Sequence, residues 1–202
     1  MRKKLILSVL TVIMLASFLI SGCGGAPTFQ EMLTKGKAVK ELSYTMVMTE
    51  DGTEAIKAKV YMKNDNVRME MSDPTMGELV IINNATKKES YFYNPTEKQA
   101  IKSALEESSS ADIPNPENLM KDADVSSAKY VSEETVDGKK AYVYDYKDTE
   151  GTTKIWMWAD NGVPLKFEGT VDGKKTVVEF KDVKVGGIDD SMFELPADAT
   201  VF

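Results

Sequence analysis

The sequence predicts a mainly β protein: an antiparallel meander, sandwich or barrel-like sheet of about eleven short strands, with one helix in front and one mid-chain. Three observations carry that expectation. From Glu41 onward apolar residues recur with a period of two, as in Tyr44, Met46 and Met48, then Ile56, Ala58, Val60 and Met62. Two-residue turn signals punctuate the alternation at Asp51-Gly52, Asp65-Asn66, Asp137-Gly138 and Asp172-Gly173. Helical spacing appears only in two short places, so no strand–helix alternation supports a parallel sheet.

The chain opens with Arg2, Lys3 and Lys4, followed by an uncharged apolar run from Leu5 to Ile20. As a helix that run reaches roughly 24 Å, short of the ~30 Å hydrocarbon core of a bilayer. It therefore reads as the apolar region of a secretion signal. Ile20-Ser21-Gly22-Cys23 follows, and it resembles the bacterial lipobox, in which the cysteine takes a diacylglyceryl thioether and becomes the first mature residue. The expected organisation is a cleaved lipoprotein signal peptide over 1–22, lipidated Cys23 with a short linker to residue 27, and one domain over 28–202. Two or three acyl chains would hold the protein firmly on its membrane. The implied location is extracytoplasmic: the outer face of the cytoplasmic membrane, or an outer membrane where the organism has one.

Composition excludes more than it includes. The 202 residues hold no histidine and one cysteine, with 25 Lys+Arg against 32 Asp+Glu. An imidazole base, a His-ligated zinc or copper and an internal disulfide are all absent. Removing residues 1–22 takes away three basic residues and no acidic one, leaving a net charge of −10 over 180 residues. That balance excludes nucleic acid as a partner. No cofactor, metal or catalytic residue is expected, and the chain is read as no enzyme. Asp122, Asp124, Ser126 and Glu133 fall at calcium-loop spacing, but Ser127 stands where the loop needs glycine, so a solvated acidic loop is expected.

Along the mature chain, Thr28 and Glu31 fit a capping box, and Phe29, Met32, Leu33, Gly36 and Val39 recur at helical spacing, predicting a helix from about 28 to 40. Strands follow around Tyr44–Met48, Ile56–Met62 and Val67–Met71, then Leu79–Ile82, Tyr91–Tyr93 and Gln99–Lys102. A polar segment with Ser108-Ser109-Ser110 and Pro114-Asn115-Pro116 interrupts them, and residues 116–121 suit a short helix carrying Leu119 and Met120. Five further strands follow at Lys129–Thr135, Ala141–Tyr146, Lys154–Trp158, Leu165–Thr170 and Thr176–Val185. In the strand Lys154–Trp158, Trp156 and Trp158 share one face and Ile155 and Met157 the other. The tryptophans meet either a packing helix or a protein partner.

A strongly curved sheet must fill its concave face or leave it hollow. One face is offered Tyr44, Met46, Met48, Val60, Met62, Met69 and Met71, with Tyr142, Tyr144 and Tyr146. Methionine is flexible and polarizable, and suits surfaces that adapt to varied apolar shapes. The same residues could equally fill a solid core.

The order of lipobox, capped helix, long meander, inserted helix and second meander resembles the LolA/LolB-like superfamily of lipoprotein carriers. The closing run Asp189-Asp190-Ser191-Met192-Phe193-Glu194-Leu195-Pro196 is similar to the D-x-x-x-F-x-L-P ending of many members. The resemblance implies a half-open barrel with helices covering the concave face, and an acyl chain or a lipoprotein bound there. The lining would be Tyr44, Met46, Met48, Val60, Met62, Met69 and Met71, with Leu119 and Met120 on the lid. Arg68 points away from Val67 and Met69, so the cavity arginine of LolA has no counterpart. The competing reading is an envelope protein-interaction module with a packed sheet interior and no ligand, using Trp156 and Trp158 or the mid-chain loop.

Overall fold

The computed structural model describes residues 25–73, 75, 77–105, 124–147 and 151–202. The expected leader, Cys23 and the mid-chain helix with Leu119 and Met120 lie outside these residues. Helix α1 spans Phe29–Lys37. Thr28 caps it as the sequence requires: Glu31 N–H donates to the Thr28 hydroxyl at 3.2 Å, and Thr28 N–H donates to the Glu31 carboxylate at 2.7 Å. The Thr28 N–H and the Thr28 hydroxyl, which also donates to the carboxylate at 3.0 Å, hold the Glu31 carboxyl below its ordinary pKa. The helix is shorter than expected because Ala38 already serves as its C-cap and Glu41 pairs into the sheet.

Twelve strands follow: β1 (Glu41–Glu50), β2 (Thr53–Lys63), β3 (Asn66–Asp73), β4 (Gly77–Asn84), β5 (Glu89–Asn94) and β6 (Gln99–Ala104), then β7 (Asp124–Val136), β8 (Lys139–Lys147), β9 (Thr152–Trp158), β10 (Pro164–Val171), β11 (Lys174–Val185) and the short β12 (Thr200–Val201). They form one curved sheet in the order β12-β6-β5-β4-β3-β2-β1-β11-β10-β9-β8-β7, open at both edges rather than closed into a barrel. Every pairing is antiparallel except β12 on β6. The β1–β11 ladder joins two meanders, β1–β6 and β7–β11, into a single layer.

The turns behave as their residues dictate. Asp51-Gly52, Asp137-Gly138 and Asp172-Gly173 each put both residues at positive φ, the geometry that matches strand twist. The β2–β3 turn sits one residue earlier than expected. Lys63 pairs with Asn66, so the turn is Asn64-Asp65, with Asn64 at φ +53. Asn66 instead opens β3, and its side-chain oxygen accepts from Ala85 N–H at 2.8 Å.

The two faces are covered by different segments. On one, Phe29, Met32 and Leu33 of α1 pack into a core with Tyr44, Met46, Tyr144, Tyr146, Ile155, Met157, Leu165 and Phe180. The Phe29 ring lies 5.3 Å from that of Tyr144 and 5.5 Å from that of Tyr146. On the other face, Val80, Ile82, Tyr93 and Ala100 pack against Ile188 and Phe193 of the C-terminal segment. Asp189 caps the single 3-10 turn Asp190–Phe193, and Asn84 Nδ2 donates to the Phe193 carbonyl at 3.1 Å. Lys63 reaches the Ile188 carbonyl at 2.9 Å, and Arg68, turned to this face, reaches the Met192 carbonyl at 3.3 Å.

Trp156 also lies on this second face, and among the described residues no helix covers it. It is only 5% exposed. Its indole N–H donates to Glu134 at 2.8 Å and the Lys166 ammonium sits 4.4 Å above its ring. Flanking lysines cover its ring, as long charged side chains do on many sheet surfaces.

Helix α1 meets the sheet at a glycine pair. A Cβ on Gly162, which sits at φ +73, would lie 2.1 Å from the Met32 carbonyl oxygen, whereas one on Gly52 at φ +83 would meet nothing within 4 Å. In urea denaturation Gly52→Ala should cost about 1–2 kcal/mol, the left-handed conformation alone. Gly162→Ala should cost about 2–5 kcal/mol, because overpacking of the helix contact adds to it.

Candidate functional site

Cross-strand register turns the sequence alternation into rows of side chains that run across the sheet. One row on the α1 face is Tyr44–Val60–Met69–Ile81–Phe92–Ile101, each residue paired with the next on the neighbouring strand. A second is Met46–Ala58–Met71–Leu79. Tyr44, Met46, Met48, Val60, Met62, Met69 and Met71, the seven strand residues expected to line an apolar cavity, share the face that α1 covers. Tyr44, Met46, Val60 and Met69 are buried, and Met48, Met62 and Met71 are half-buried against the same core.

Exposure rises along the first row as it leaves the helix. Ile81 is half-buried, Phe92 is 46% exposed and Ile101 is 64% exposed. The row continues past the sheet edge. Phe202 N–H donates to the Ala100 carbonyl at 2.9 Å and Lys102 N–H to the Phe202 carbonyl at 3.3 Å, which sets Phe202, 71% exposed, beside Ile101. From Ile81 to Phe202 the exposed part crosses three strand spacings, roughly 14 Å. This apolar strip has a buried end and an open end.

Sequence reasoning missed Ile81, Phe92, Ile101 and Phe202 as parts of this row. In β5 the run Tyr91-Phe92-Tyr93 is aromatic on both faces, so alternation carries no contrast. In β6 Ile101 stands between Ala100 and Lys102 in a strand of six residues. Only the register, once known, aligns them.

A separate cavity of about 260 Å³ opens at the C-terminal end of α1, with Leu33, Val39, Leu42, Met62 and Val163 in its wall and Lys37, Lys40 and Asp65 also lining it. Among the described residues no group of three acidic or thiol side chains is placed to hold a metal ion. Asp124 instead accepts from the Ser126 N–H at 3.0 Å and hydroxyl at 2.6 Å, and Glu133 pairs with Lys140 at 2.8 Å, so the calcium-like spacing is used by a strand start.

Two tyrosines report the dryness of the α1 face. The Tyr44 hydroxyl donates to the Met62 sulfur at 3.7 Å, and burial pushes its pKa well up. The Tyr144 hydroxyl donates to the Pro27 carbonyl at 2.5 Å, and burial pushes its pKa up to about 12.

The sequence profile of a domain of unknown function, DUF4412, matches residues 41–162, from the start of β1 to the β9–β10 turn. The chain belongs to the DUF4412 family. The match leaves out α1, and also β10 and β11, which link the family's two sets of strands in this sheet. Among curated protein sequences nothing matches this DUF4412 chain.

Solved structures do match. MucB in the MucA/MucB complex of Pseudomonas aeruginosa aligns with 86% of the chain at 14% identity and a TM-score of 0.53. The alignment spans only 63% of that chain. The lipoprotein LppX of Mycobacterium tuberculosis aligns over 79% of this chain and 94% of its own, at 8% identity and a TM-score of 0.53. The LolA superfamily protein NE2245 from Nitrosomonas europaea aligns over 84% of this chain and 98% of its own, at 15% identity and a TM-score of 0.36. At these identities what is shared is the fold.

The buried tyrosines set a pH dependence. An unfolded tyrosine ionises near its ordinary pKa of 10.0, while Tyr44 and Tyr144 stay protonated in the fold to higher pH. Above pH 10 the unfolded chain therefore binds fewer protons, so the stability these groups contribute is complete below about pH 9 and is lost as pH rises toward 12. Urea titrations between pH 8 and 11.5 should show this decline, and Tyr44→Phe should flatten part of it.

Proposed function

We propose that this chain is an extracytoplasmic lipoprotein, anchored through diacylglyceryl-Cys23, that holds acyl chains without catalysis on the α1 face of its sheet. The ligand is a lipid or the acyl part of another lipoprotein. The observation that carries the reading is the row from Ile81 through Phe92 and Ile101 to Phe202, an apolar strip continuous with the core at one end and exposed at the other. An acyl chain laid along it would bury apolar area on both partners at roughly 25 cal/mol per Å². The half-buried Met48, Met62 and Met71 would adapt to its shape at the core end, and Tyr44, Met46, Val60 and Met69 would form the wall behind. The shared fold with a named lipoprotein, LppX, supports the reading, as does the absence of histidine from the chain.

The test is native mass spectrometry of the full chain, made in a bacterial host and extracted in detergent. Mature protein should carry a diacylglyceryl mass on Cys23 and a further, dissociable species of phospholipid or acyl-chain mass. Cys23→Ala should lose the covalent mass. A clean mass with no dissociable lipid, unchanged after incubation with phospholipid vesicles, would overturn the carrier reading. The double variant Phe92→Asp, Ile101→Asp should reduce bound lipid severalfold. Because both side chains are exposed, it should change stability by no more than about 0.5 kcal/mol per site.

A further inference from the structure

The start of the domain is pinned. Pro27 O accepts the Tyr144 hydroxyl at 2.5 Å, and the Thr28 capping box fixes the next turn of chain. Three residues separate Pro27 from Cys23, so the four residue steps between them reach at most ~14 Å. Whatever surface surrounds Pro27 is therefore held near the bilayer that carries the anchor.

That surface is the β7 edge of the sheet. Tyr130 on β7 meets the Tyr144 ring edge-on at 6.0 Å and the Tyr142 ring at 6.4 Å. It is one ring away from the pinned tether, and it is 47% exposed. Its neighbour Val131 falls in a register shift between Tyr130 and Ser132 and is 45% exposed. Two nearby charge pairs are matched: Lys140 pairs with Glu133 at 2.8 Å and lies 5.4 Å from the Tyr142 ring, and Lys129 stands opposite Asp145, while Glu31 also acts on Tyr144 from the helix start. A cluster of tyrosines with an aliphatic residue matches the chemistry of the bilayer interface, where tyrosine rings settle with the hydroxyl toward water.

We propose that the β7 edge, centred on Tyr130 and Val131, lies on the bilayer surface beside the anchor and fixes the orientation of the domain. This rests on the anchoring of Cys23. With so short a tether the local concentration of membrane at this edge is in the millimolar range or above, so a weak patch is sufficient.

The chain's single cysteine is consumed by the lipid, so Val131→Cys gives one free thiol for a nitroxide label, and Thr86→Cys gives another on the exposed β4–β5 turn. Lipidated full-length protein of each kind would be placed in phosphatidylcholine vesicles, and collision of the label with oxygen and with a water-soluble nickel chelate measured by electron paramagnetic resonance. The label at position 131 should collide severalfold less with nickel and more with oxygen than the label at 86. Equal, fully aqueous collision at both positions on protein whose mass shows the lipid would overturn the membrane contact and leave the anchoring intact. Protein with an unmodified Cys23 would overturn both.

Discussion

A single layer of twelve antiparallel strands has two faces, and alternation makes both partly apolar. Everything else in the structure follows from how little chain is available to cover them. Among the described residues there are one nine-residue helix and the segment after β11. The helix covers the β1 and β8–β11 part of one face. The C-terminal segment covers the β4–β6 part of the other. Each contributes a few large side chains, Phe29 and Met32 in the first case and Ile188 and Phe193 in the second, and full burial of such a residue is worth about 1.5–3 kcal/mol.

This diagonal arrangement leaves unlike surfaces behind. On the C-terminal-segment face, the strands beyond Phe193 are covered by their own lysines, as at Trp156 under Lys166. On the α1 face, the strands beyond the helix keep Phe92 and Ile101 in view of solvent. Among the described residues this apolar row is neither covered nor broken by charge, which is why the proposed ligand is placed on it. The aromatic edge beside Pro27 stands at the other end of the strand order, at β7, so the side proposed for the anchor and the open apolar side belong to opposite margins of the sheet.

Much of this was legible in the residues. Capping by Thr28 and Glu31, the Asp-Gly hairpins and the shared face of Tyr44, Met46, Met48, Val60, Met62, Met69 and Met71 all follow from local chemistry. What local chemistry does not encode is partnership. Alternation says that Tyr44 and Met46 share a face, but not that α1 buries them while Phe92 stays open. The β2–β3 turn shifted by one residue because Asn64 tolerates positive φ as well as its neighbours do, and the apolar faces still match in either register. Trp156 drew attention as a patch because its covering groups, Glu134 and Lys166, come from strands distant in sequence.

The central claim is that the open row on the α1 face is where an acyl chain lies. Photo-crosslinking with a phospholipid bearing a diazirine at the end of one acyl chain, followed by peptide mapping, tests it most directly. Adducts should fall on β3–β6 and the C-terminal residue, at Met71, Ile81, Phe92, Ile101 and Phe202. Adducts confined to the lysine-covered face around Trp156, or spread evenly over all exposed peptides, would contradict it.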